Sequence, residues 1–221
     1  MIRPVPAILW LCLATAALPA RAAAQDYVAP KPGTVLQFTV ARGQGSAAGE
    51  RMAVTIRAAD REIVSANTTA GRTQYIARLA RGVFTFEIAE AAIVFRHYYQ
   101  PAALAKLWPL QPRKSAVLTG RLLAAPAAAF MPTKAFHAIG SYEARFAVRE
   151  RLAIITAAGP FEVFVITRDI QRRDAQGKPL QRETGEIWFA PQLGWQVRSE
   201  MRTDGPKGGT SRIELVDVAG Q

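Results

Sequence analysis

The sequence predicts an all-β, mainly antiparallel fold: a strongly curved sheet, a half-open barrel or a two-sheet sandwich, with about one short helix. Three observations carry this. Apolar and polar residues alternate with period two through most of the chain, turn residues interrupt the alternation at short intervals, and a single stretch beyond the N-terminus has the make-up of a helix.

The first residues stand apart from this pattern. Arg3 supplies a positive start, Ala7 to Leu18 is apolar, and Ala22-Ala23-Ala24 is a small-residue cleavage pattern before Gln25. These are the features of a secretory signal peptide over residues 1–24. The apolar core is shorter than the roughly 20 residues that cross a bilayer, and Pro19 follows it. Cys12 is the only cysteine, and Leu11 precedes it where lipidated proteins carry a small residue. Residues 25–221 are expected to form one β-rich domain in the periplasm, stabilised by packing without disulfides.

Along that domain, Gln25 to Gly33 reads as an extended lead-in arm with Pro30 and Pro32. Leu36, Phe38 and Val40 then alternate with Gln37 and Thr39, and Met52, Val54 and Ile56 alternate with Arg51, Thr55 and Arg57, across the glycine-rich turn Gly43 to Gly49. Shorter runs at Ile63–Thr69, Gln74–Ala80, Val83–Ile88 and Ala92–Tyr99 extend a meander. Gln100 to Leu107 is the helix, opened by Pro101 and stopped at Trp108 by Pro109.

A strand near Ser115 to Leu122 leads into LLAAPAAAFM, Leu122 to Met131, which reads as an apolar connection. From Gly140, a long strand sets Tyr142, Ala144, Phe146 and Val148 against Glu143, Arg145 and Arg149, continuing to Thr156 through a bulge or bend. Val163-Phe164-Val165-Ile166 loses the alternation, as a strand covered on both faces would. Asp174 to Lys178 turns the chain into Gln181–Phe189, Pro191 to Gly194 turns it again, and Ser211–Val218 supplies the last strand. The total is about ten to twelve strands, with sequential neighbours paired.

EIWFAPQLGWQVRSE, preceded by AAGPFEVFVITRD and LWPLQPRKSAVLTG, resembles exported proteobacterial β-rich proteins of unassigned function. Those proteins carry a Trp-aromatic-x-Pro-x-x-Gly-x-x-Val hairpin after a Gly-x-Phe strand. The matching residues are Gly159, Phe161, Trp188, Phe189, Pro191, Gly194 and Val197, and RIELVDV, Arg212 to Val218, looks like the closing strand of that group. The resemblance implies a fold similar to periplasmic curved-sheet lipoprotein and lipid carriers, and it brings no catalytic residue. One departure is Arg113, which precedes Lys114 where a glycine is expected.

The formal net charge is +11. For an exported chain this excess points to lipid, lipopolysaccharide or an envelope protein, with peripheral membrane contact, and not to nucleic acid. Catalytic signatures are sparse. His97 and His137, the only histidines, lack metal-ligand spacing, there is no Gly-x-Ser-x-Gly elbow, and Glu183 and Glu186 fall on opposite faces of one strand. No cofactor or metal is expected.

The reading is therefore a non-enzymatic binder or carrier of a hydrophobic or amphipathic envelope component. The alternatives are a module that assembles with another envelope protein and a hydrolase with an unrecognised site. Candidate ligand or partner residues are apolar, Trp188, Trp195, Phe146 and Phe130, and basic, Arg168, Arg172, Arg173, Lys178 and Arg182 on one hairpin. Trp195 shares its face with Val197 and Met201 and is expected in the core, leaving Trp188 the freer of the two tryptophans.

Overall fold

Twelve antiparallel strands follow one another around a ring, and the ring closes because the first strand pairs with the last. The computed structural model describes residues 26–43, 49–59, 62–90, 93–126, 136–205 and 208–220. The predicted leader, 1–24, lies outside them, as does Phe130. The strands are β1 (Val35–Arg42), β2 (Glu50–Ala59), β3 (Glu62–Thr69), β4 (Arg72–Ala80), β5 (Phe84–Glu90) and β6 (Ile93–His97). After the helix α1 (Pro101–Ala105) come β7 (Ser115–Pro126), β8 (His137–Thr156), β9 (Gly159–Asp174), β10 (Pro179–Ala190), β11 (Trp195–Asp204) and β12 (Gly209–Ala219). Of the three forms the sequence allows, the chain takes the barrel, and each strand has two neighbours.

LLAAPAAAFM is not one connection. Its first half continues β7, where Leu122 and Ala124 pair with His97 and Phe95 on one side and Leu122 with Gly140 on the other. Small side chains let this segment be buried without the alternation that marks larger strand residues, which is why the pattern hid it. The long strand β8 runs on to Thr156 as its alternation suggests, and its register against β9 shifts between Val148 and Glu150. That shift is a bulge, which turns the upper part of the β8–β9 hairpin relative to the lower part.

Two apolar cores result. The first holds Phe84, Phe86, Phe146, Phe164, Phe189 and, from the connection after α1, Leu107. The second holds Leu36, Phe38, Ile56, Trp195, Val197 and Leu215. Strands β9 and β10 serve both. Phe164 and Phe189 enter the first core, while their chain neighbours Val163 and Ala190 enter the second. This explains the lost alternation at Val163 to Ile166, since all four side chains are buried.

The connections β4–β5, β6–β7, β8–β9 and β10–β11 share one end of the barrel with α1 and the N-terminal arm. There Tyr27 of the arm meets Trp108 edge-on at 5.8 Å between ring centroids. The Pro191–Gly194 turn closes with Gly194 N–H donating to Pro191 O at 3.1 Å. Arg113, where the sequence comparison expects glycine, adopts φ 75°, the left-handed region that glycine occupies at least cost. Its N–H donates to Val148 O at 2.8 Å, and Lys114 Nζ donates to Trp108 O at 2.9 Å, so the neighbouring strand and the chain after α1 hold this turn in place.

Candidate functional site

Small polar residues interrupt the second core. Strands β1, β2, β4 and β12 send Phe38, Val40, Val54, Ala77, Leu79 and Ile213 into a cavity of about 220 Å³. Ser65, Asn67 and Ser199 line the same space and are buried. Asn67 Nδ2 donates to Ser65 Oγ at 3.4 Å. Trp195, 3% exposed, also lines the cavity, and its Nε1–H has no acceptor among the described residues. The phenol of Tyr75, another lining residue, is pushed up in pKa by burial and stays a neutral hydroxyl. Arg42, whose side chain is largely exposed, also lines the cavity. Twelve strands enclose more space than one layer of side chains fills, and this cavity is part of the remainder.

The basic hairpin divides by strand parity. Arg168 and Arg172 share the inner face of β9 with Ile166 and Ile170, and each side chain is 17% exposed. Both face Glu183 on β10: Arg168 is in direct contact with its carboxylate, and Arg172 Nη1 lies 3.7 Å from Oε2. Arg172 Nη1 also donates to Gln181 Oε1 at 2.9 Å, and its Nε donates to His97 Nε2 at 3.1 Å. Burial, together with the charge of Arg172, lowers the Arg168 pKa to about 10. Arg173, Lys178 and Arg182 are exposed, and Arg182 makes a two-pronged pair with Asp169 at 3.1 and 2.8 Å. The single basic patch expected from the sequence is thus an inward-facing pair and an outer fringe, because Arg168 and Arg172 are in phase on β9, Arg173 is out of phase with them, and Lys178 lies in the turn.

The aromatic candidates also separate. Phe146 belongs to the first core and Trp195 to the second, so they do not line one concave face. Trp188 packs only partly against the second core, and the Arg198 guanidinium lies 5.7 Å from its ring centroid, itself paired with Glu214 at 3.0 Å. The freer tryptophan therefore meets a cation–π partner. Ser65, Asn67 and Ser199 escaped notice in the sequence, although their inward-phase positions among apolar neighbours were the available signal. Strand parity could likewise have turned Arg168 and Arg172 inward.

Desolvation, with the nearby Arg172 and Arg168, lowers the His97 pKa to about 3. With Nε2 accepting from Arg172, the ring proton sits on Nδ1, so no lone pair is free to act as a base. Glu183 and Glu186 do lie on opposite faces, Glu186 pairing with Arg149 on the outside. Among the described residues no three His, Cys, Asp or Glu side chains gather as a metal site would require.

No protein-family model and no curated protein matches the chain. Solved structures do. The hypothetical lipoprotein YmcC of Escherichia coli superposes with a TM-score of 0.50 at 8% identity, over 86% of this chain and 87% of that one. A candidate exported protein of YmcC-like fold from Bacteroides fragilis gives 0.51 at 14% identity, over 89% and 100%. A candidate lipoprotein from Parabacteroides distasonis gives 0.40 at 14%, over 88% and 99%. At such identities the likeness is one of fold, and the first two structures carry it: the chain is an antiparallel barrel of YmcC-like fold.

Proposed function

We propose that this chain is an exported cell-envelope protein, held in the periplasm, that binds a compact amphipathic molecule, or one end of a larger one, inside its barrel without transforming it. The observation that carries this is the cavity of about 220 Å³ with apolar walls, three buried polar side chains and the ring of Trp195. Binding sites commonly combine an apolar wall with a few placed polar groups. The volume lies below the range of about 300–1,000 Å³ usual for drug-sized ligands, which limits what fits to a small body or a chain end.

The N-terminal leader pattern supports export, as does the description of the YmcC-like neighbours as lipoprotein or exported proteins. Mass spectrometry of an organic extract tests the reading, using protein purified under mild conditions. An amphipathic compound near one per chain is expected, together with a shift of the Trp195 indole N–H resonance when hexanol or hexanoate is added to the extracted protein. An empty extract and an unmoved Trp195 resonance would overturn it.

A further inference from the structure

The polar groups in the wall of the barrel cavity are hydroxyls and amides. Ser65 and Asn67 on β3 and Ser199 on β11 are 1%, 5% and 6% exposed, and β2, β1 and β12 separate β3 from β11 in the ring. Each serine stands between apolar cross-strand partners, Ser65 between Ile56 and Ala77 and Ser199 between Ile187 and Ile213. A hydroxyl at these positions brings a donor and an acceptor into a wall otherwise made for packing. Asn67 adds an amide, whose Nδ2 donates to Ser65 Oγ at 3.4 Å. Thr85, Gln196 and Ser211 extend the uncharged polar lining.

Arg42 is the one charged side chain among the described lining residues. It is 72% exposed and pairs with Glu50 at 3.6 Å, so its charge is hydrated and already matched. The undescribed residues 44–48, between β1 and β2 in sequence, run from Gln44 to Ala48 and carry no charge. The Tyr75 phenol, raised in pKa by burial, contributes a hydroxyl and not a phenolate. A carboxylate, phosphate or ammonium carried into this space would give up its hydration without meeting a buried counter-charge, which costs far more than an uncharged group loses. An alcohol or amide exchanges its bonds to water for bonds to these side chains at little net cost.

We propose that the cavity receives the uncharged, hydrogen-bonding end of an amphipathic ligand, an alcohol or amide group, and excludes carboxylate, phosphate and ammonium ends. This rests on the ligand-binding reading of the cavity and narrows the class of compound that fits. The buried hydroxyls favour such an end over an alkyl tail, because a tail takes the place of water at Ser65 and Ser199 without reproducing its hydrogen bonds.

Titrations of the purified protein, followed at the Trp195 indole N–H resonance, test it with hexanamide, hexanol, hexanoate, hexylammonium and, as an apolar control, 1-chlorohexane. The common six-carbon tail leaves the end group as the variable. Hexanamide and hexanol are expected to bind at least about tenfold more tightly than either ion. An apolar hole would also rank them so, and two variants separate the cases. Ser65→Ala and Ser199→Ala each delete one hydroxyl and little volume; each is expected to weaken hexanamide about threefold, and the pair about tenfold, while 1-chlorohexane binds no more weakly. Hexanoate or hexylammonium binding as tightly as hexanamide overturns the proposal, as does hexanamide binding untouched by both variants, and the single variants decide if the double does not fold. Binding of 1-chlorohexane alone leaves the cavity a ligand site and overturns only this assignment, whereas no binding by any of the five overturns the ligand-binding reading itself and this assignment with it.

Discussion

Arg172 Nε donates a 3.1 Å hydrogen bond to His97 Nε2, linking β9 to β6 across the barrel interior although the two strands are not neighbours in the sheet. The bond needs a neutral imidazole, and burial enforces one by lowering the His97 pKa from 6.5 to about 3. The unfolded chain then binds a proton below pH 6.5 that the folded chain refuses. Stability from this source is fully present above pH 6.5 and falls as pH drops toward 3, by up to about 1.4 kcal/mol per pH unit. His97→Gln, whose amide oxygen can still accept from Arg172, is expected to flatten the urea-midpoint profile between about pH 5 and 6.5, above the carboxylate range. An unchanged slope would place the acid sensitivity elsewhere.

The two faces of the β9–β10 hairpin are expected to respond differently to loss of charge. Glu183→Ala leaves the inward-facing Arg168 and Arg172 without their carboxylate and should cost about 1–3 kcal/mol in denaturant unfolding. Arg182→Ala, which removes an exposed partner of Asp169 a single residue away, should leave the unfolding midpoint nearly unchanged. Similar losses at the two positions would contradict the inward placement of the cluster.

Gly194 does more than close the Pro191–Gly194 turn. Its φ is 61°, and a Cβ there would collide with Val28 O of the N-terminal arm. Gly177, in the β9–β10 turn, has φ 81° and no atom within 4 Å of such a Cβ. Both alanine substitutions should cost about 1–2 kcal/mol of backbone strain, but Gly194→Ala should also release the arm. Faster amide exchange at Val28 and Ala29 in Gly194→Ala, and not in Gly177→Ala, is the expected result.

Period-two patterning made much of this fold legible. It carried Leu36, Phe38 and Val40 into the core, marked the β8 bulge, and exposed the double burial of Val163 to Ile166. Closure was not legible, because pairing of β1 with β12 depends on accumulated sheet curvature and not on any local residue pattern. The cavity was hidden for a related reason. Ser65, Asn67 and Ser199 look like ordinary strand residues until strands distant in sequence bring them together beside Trp195. The Pro-x-x-Gly hairpin was read correctly as a corner with Trp195 in the core, but the cavity beside that ring is built from distant strands and left no local mark.

The central claim is that the barrel interior holds a ligand, and filling that space tests it most directly. Ala77, buried and lining the cavity, can be replaced by leucine, which occupies the volume without adding a polar group. Extracts of wild-type and Ala77→Leu protein, purified side by side, would be compared by mass spectrometry. The account predicts an amphipathic compound from the wild type and its loss from a variant that is folded and at least as stable. The same compound at the same stoichiometry from both, or none from the wild type, would contradict it.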